Sequence, residues 1–180
     1  MNFSPRVLLV PALGLVLAAC ERPATHPSTD PIARGRYLVN AMGCADCHSP
    51  HGPDGAELPG MHLAGHPADA PLPKWEASML QNGNLATIGP TVTAYAGPWG
   101  VSIAPNLTPD ATGMAELTAD ALVKSWKTGR HWKEDRMVMP PMPVPALRNL
   151  EEEDMRAIWA YLHSLPAVKN AAPRSVVAPR

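Results

Sequence analysis

The 180-residue sequence predicts an all-α domain of few short helices joined by long loops, and three observations carry that expectation. The chain holds 22 prolines and 13 glycines, a density that breaks most of it into turns and irregular segments. Apolar residues recur at helical spacing in only a few stretches, each bounded by start or stop signals. One run, Cys44-Ala45-Asp46-Cys47-His48, sets two thiols and an imidazole within five residues, a donor set around which loops can be organised.

Taken from the N-terminus, residues 1–19 open with a polar stretch carrying Arg6, continue through the apolar run Val7 to Val16 and end in Leu17-Ala18-Ala19 before Cys20. That order reads as an export signal. Pro11 and Gly14 interrupt the apolar run, and nothing else in the chain approaches the ~20 apolar residues of a membrane-spanning helix. Leu-Ala-Ala-Cys resembles the bacterial lipobox, so Cys20 is expected to become a lipid-modified N-terminus that anchors an exported, periplasm-facing protein to a membrane. Residues 20–30 read as a flexible tether. Asp30-Pro31 then supplies an N-cap and a first-turn proline, and Ile32, Arg36, Leu38 and Val39 fall around a helix reaching about Met42.

That helix delivers the chain to Cys44-Ala45-Asp46-Cys47-His48, the C-x-x-C-H signature of covalent haem attachment. Two thiols three residues apart can each add to a vinyl group of one porphyrin edge, and the adjacent histidine can then ligate iron. A single copy implies one haem c. A redox C-x-x-C pair would need a thioredoxin-like alternation of strands and helices, which the chain lacks. A zinc site would need a further cysteine-type ligand, and with Cys20 given to lipid none is left; His51, His62 and His66 form no second paired motif.

From Gly52 to Gly89 the sequence is punctuated by Pro, Gly and Asn and reads as a solvated lid. Thr91 to Tyr95 and Trp99 to Ile103 can pair as a small β-hairpin across Ala96-Gly97-Pro98. A second helix spans Ala119 to Thr128, with Thr118 as N-cap, Leu117 and Leu122 as a hydrophobic staple and Gly129 just past its end. The last begins at Asn149 or Leu150, has Glu151, Glu152, Glu153 and Asp154 in its first turn, and carries Met155, Ile158, Trp159, Leu162 and Leu165 as its apolar stripe before Pro166. Residues 167–180 read as a disordered tail.

A methionine thioether is the second axial ligand that raises a haem's reduction potential, and nine methionines compete for the role. Met42 is too near the attachment motif, Met155 reads as helix core, and Met61, Met79 and Met114 stand alone. The cluster Met137-Val138-Met139-Pro140-Pro141-Met142-Pro143 is a stiff proline-rich segment suited to holding a sulfur at fixed distance. Met142 is the first choice and Met139 the second. The formal net charge of −1, one positive charge fewer once Arg6 leaves with the signal, gives no concentrated basic face for nucleic acid.

These residues together resemble class I cytochrome c domains, the bacterial exported monohaem proteins related to cytochrome subunits of membrane-bound dehydrogenases. Gly35-Arg36-Tyr37-Leu38-Val39 resembles the first helix of that family, whose glycine and aromatic pack across the last helix. Ala104-Pro105-Asn106-Leu107-Thr108-Pro109-Asp110-Ala111-Thr112-Gly113 resembles its N-[LI]-T-P-D-x-x-T-G loop, and Pro140-Pro141-Met142-Pro143 with Leu150 is similar to its axial-ligand segment. The resemblance covers residues 31 to 166 and implies an all-α fold with His48 and Met142 on iron. Where relatives open the last helix with Thr or Ser this chain has Glu151, so the cap is expected to move to Asn149 with Glu152 closing a capping box.

The function so implied is electron carriage to or from a dehydrogenase or terminal oxidase, because iron held by histidine and methionine has no open position for substrate. The alternative is a haem enzyme with a vacant sixth site and His62, His66 or His131 as a distal acid–base group.

Overall fold

The computed structural model describes residues 29–81 and 85–179. The residues expected to form an export signal, Cys20 and most of the expected tether lie outside them. Helix α1, Pro31–Ala41, starts as expected: the Asp30 carboxylate accepts the Ile32 N–H at 3.0 Å, and Pro31 needs no partner for a missing donor. Gly43 follows in the left-handed region at φ 65°, turning the chain directly into α2, Cys44–His48. Helix α3, Ser78–Gln81, is a single turn in the segment expected to be a solvated lid.

Helix α4, Ala119–Thr128, matches its sequence signals closely. Thr118 Oγ1 accepts the Ala121 N–H at 3.2 Å, Leu117 and Leu122 are both buried, and Gly129 ends the helix at φ 74°. A short α5, Val144–Leu147, precedes the last helix, α6, Glu152–Ser164. The expected capping box at Asn149 does not form. Glu151 takes the extended N-cap backbone without a side-chain hydrogen bond, and the acidic first turn stands in for a cap through its charge on the positive end of the helix.

Helices α1 and α6 cross with their backbones in contact at Gly35, where a Cβ would overlap the Ala157 carbonyl oxygen. Only glycine permits that approach. Leu38 and Val39 then bury against a core that includes Met155, Ile158, Tyr161 and Leu162 from α6 and Leu122, Val123 and Trp126 from α4, at roughly 1.5–3 kcal/mol for each large side chain. Arg34 donates to both oxygens of Asp154, at 2.8 and 3.0 Å, tying the start of α1 to α6. Tyr37 departs from expectation: it is 63% exposed with the Arg34 guanidinium over its ring, and Tyr161 of α6 is the aromatic packed at Gly35.

The all-α expectation is corrected by a four-stranded antiparallel sheet in the order β1 Thr87–Ile88, β2 Ala94–Gly97, β3 Gly100–Ile103, β4 Val176–Val177. The hairpin is present, but it turns on Pro98 and Trp99, with Gly97 paired to Gly100. Thr91 to Thr93 stay outside the strand because Val92 takes φ 60°. One face of the sheet buries Ala94, Ala96, Val101 and Ile103 with Met79, Trp75 and Ala172, forming a second core. The segment 52–89 is therefore only partly a solvated lid.

The segment after Pro166 does not fray either. Asn170 donates to the Ala64 and His66 carbonyls, Asn106 donates to Val168, and β4 pairs with β3 where Gly100 leaves room, since a Cβ there would overlap the Val176 oxygen. These are contacts between distant segments, which no local pattern announces.

Candidate functional site

Helix α2 presents Cys44 and Cys47, both half-buried and without a disulfide, and His48, which is 7% exposed. Its ring Nδ1 lies 3.1 Å from the Pro105 carbonyl. Burial pushes the imidazole pKa below its ordinary value, with the Pro105 carbonyl opposing, so the ring is neutral with its proton on Nδ1. Nε2 then keeps a free lone pair.

The loop that aims Pro105 is rigid for reasons written in its side chains. Buried Asn106 accepts from the Thr108 N–H at 2.9 Å and the Thr108 hydroxyl at 2.8 Å, while Asp110 accepts the Thr112 N–H at 2.8 Å. Gly65, at φ 78°, brings the 63–66 segment so close that a Cβ would sit 2.5 Å from the Pro105 carbonyl carbon, and its N–H donates to the His48 carbonyl at 2.7 Å. His48 is thus fixed both at its ring and at its backbone.

Burial pushes Cys44 up to about 11, whereas a disulfide-exchanging C-x-x-C depends on a lowered thiol pKa. Cys47 Sγ lies 3.0 Å from the Tyr95 hydroxyl of β2.

Cys44 and Ala45 share the half-buried rim of the main core with Leu107, Trp132, Met142, Leu150 and Trp159. The attachment helix and the expected sixth-ligand residue thus both pack against the main core. Two thiols, a preset imidazole and a thioether beside aromatic and aliphatic side chains form a donor set and lining that fit a haem. The methionine segment is more turned than expected. Met142 N–H donates to the Met139 carbonyl and Val144 N–H to the Met142 carbonyl, so the prolines enter a tight bend leading into α5. Met79, Met114 and Met155 are buried in the two cores, and Met139 is buried as well.

The three histidines considered as distal groups are otherwise engaged. His62 is exposed and pairs with Glu57; His66 is buried with Nδ1 on Thr93 Oγ1 and Nε2 on the Ala70 carbonyl; His131 Nδ1 accepts from the Lys133 and Glu134 N–H groups. Sequence reasoning missed Tyr95, Ser102 and Trp99 beside the site. The period-2 alternation of the hairpin puts Tyr95 and Ser102 on one face and was the signal available for them.

Residues 32–166 match the cytochrome c family. A subunit of the nicotinate dehydrogenase of Pseudomonas putida is 30% identical over 173 residues, covering 90% of this chain and 12% of that protein. The gluconate 2-dehydrogenase cytochrome c subunit of Pantoea cypripedii is 29% identical over 142 residues, covering 78% of this chain and 24% of that protein. The cytochrome c subunit of the quinone alcohol dehydrogenase of Gluconobacter oxydans is 29% identical over 149 residues, covering 78% and 25%. The chain spans a quarter or less of the length of these curated relatives. A match running from the first turn of α1 to the end of α6, with the C-x-x-C-H helix inside it, makes this chain a member of the cytochrome c family, which binds haem c covalently.

Proposed function

We propose that the chain is a non-catalytic carrier of single electrons, holding one haem c through Cys44 and Cys47 with His48 and Met142 as the axial iron ligands. The observation that carries the reading is buried His48 on α2, held at Nδ1 by the Pro105 carbonyl so that Nε2 keeps a free, oriented lone pair. The haem supplies the change of oxidation state. The protein supplies the rest: His48 donates nitrogen, Met142 offers a soft thioether that favours ferrous iron, and the apolar rim keeps water from the ring. His62, His66 and His131 all have partners elsewhere, which speaks against a distal acid–base group and hence against the haem-enzyme alternative.

The partner on this reading is a redox enzyme, a dehydrogenase or terminal oxidase. Two of the relatives above are named as cytochrome c subunits of dehydrogenases, which supports the former. Location completes the proposal: export, lipid modification at Cys20 and a haem domain facing the periplasm follow from Leu17-Ala18-Ala19-Cys20.

Two measurements test it. The ferrous protein mixed with carbon monoxide is expected to keep its spectrum over minutes, because both axial positions are filled; immediate binding would move the enzyme reading to first place. Mass spectrometry of the native N-terminal peptide is expected to find diacylglyceryl-modified Cys20, and an unmodified soluble product would remove the anchor.

A further inference from the structure

Strands β2 and β3 pair with Tyr95 directly opposite Ser102, so the two side chains share a face of the sheet. Each reaches a different part of the haem-binding machinery. The Tyr95 hydroxyl lies 2.6 Å from the Val92 carbonyl and 3.0 Å from Cys47 Sγ, next to His48 in α2. The Ser102 hydroxyl donates to the carbonyl of Pro140, two residues before Met142, and lies 3.3 Å from the Trp99 indole nitrogen, whose N–H it accepts. Trp99 stands in the turn of the same hairpin, with its ring packed over Gly97, where a Cβ would approach within 2.6 Å. Indole, hydroxyl and carbonyl form one directed chain that ends on the Met142 segment.

The hairpin is braced to carry that load. Its opposite face is packed into the second core with Trp75 and Met79, and the Trp75 indole donates to the Gly97 carbonyl at 2.9 Å. Val92 holds a left-handed backbone that is unfavourable for a β-branched residue, and its carbonyl is one of the two groups at the Tyr95 hydroxyl. Such strain persists only where surrounding contacts over-determine the conformation.

We propose that the β2–β3 hairpin is a clamp holding the Met142 segment against the attachment helix, with Ser102, oriented by Trp99, and Tyr95 as positioning residues that govern how readily the Met142 thioether leaves iron. The inference rests on the ligation proposed above. Its consequence is protection: a carrier whose sixth ligand seldom dissociates is closed to small exogenous ligands while remaining open to electrons.

The test uses the full holoprotein and the rate at which cyanide enters the ferric form, which follows thioether dissociation. Ser102→Ala is expected to raise that rate about five- to tenfold, the scale of one buried hydrogen bond, while the far-red charge-transfer band persists at neutral pH. Tyr95→Phe and Trp99→Phe are expected to raise it by smaller factors, and Ser102→Thr, which keeps the hydroxyl, to return it toward the wild-type value. Val101→Ala, on the braced face of the same strand, serves as the destabilised control and should lower the melting temperature while raising the rate by a clearly smaller factor than Ser102→Ala. Wild-type rates in Ser102→Ala, or equal acceleration in Val101→Ala, would overturn the clamp. A wild type that lacks the band or binds cyanide at once would instead overturn the Met142 ligation, so the two failures are separable.

Discussion

Replacing Cys44 and Cys47 together by alanine is expected to abolish covalent haem and to leave a chain without a cooperative thermal transition in its main core. The reason lies in the half-buried apolar side chains Leu107, Trp132, Met142, Leu150 and Trp159, which come mostly from loops and are only partly covered by the core. Ordering such loops costs on the order of 1–2 kcal/mol per residue in backbone entropy, and the wild type offsets that against a permanently attached apolar ring. A ligand held at a thousandfold excess over its dissociation constant contributes about 4 kcal/mol, and a covalent one cannot be diluted away. Against a total stability of about 5–15 kcal/mol the loss is a large share. Calorimetry of the purified variant checks the expectation; a single sharp transition within about 5 °C of the holoprotein would show that the polypeptide folds without its cofactor.

The parts of this molecule legible from sequence are those whose signals are local. Asp30-Pro31 and the Thr118 to Gly129 frame mark α1 and α4 because a cap and its helix lie within a few residues of each other. The Cys44, Cys47 and His48 grouping is legible for the same reason. What stayed hidden depends on distant partners. Strand β4 exists because Gly100 admits the Val176 carbonyl, and the segment after Pro166 is held by Asn106, Thr108 and Thr112 side chains that serve the Pro105 loop at the same time. Glu151 shows the complementary case: Asn149, two residues upstream, is the better capping side chain by type, yet α6 begins at Glu152 behind Glu151, with Met155 and Ile158 buried on its core face.

Met142→Ala is expected to change the iron more than any other methionine substitution in the chain. Loss of the thioether should remove the far-red charge-transfer band of the ferric form, let the ferrous form bind carbon monoxide within seconds, and lower the reduction potential because the preference of soft sulfur for ferrous iron is gone. The drop should be on the order of 100 mV, a modest share of the ~0.8 V over which axial ligation sets haem potentials. Met142 is only half-buried on the rim, so truncation should cost about 1–3 kcal/mol of packing and leave the fold intact, keeping the spectroscopic result interpretable. Met139→Ala separates the two prolines' neighbours: Met139 is buried, and its backbone carbonyl rather than its sulfur is what receives the Met142 N–H, so that variant should lower stability while keeping the band and the closed iron. If the pattern is reversed, with the band lost in Met139→Ala and kept in Met142→Ala, the sixth ligand is Met139 and the bend from Met139 to Val144 presents the other sulfur to iron.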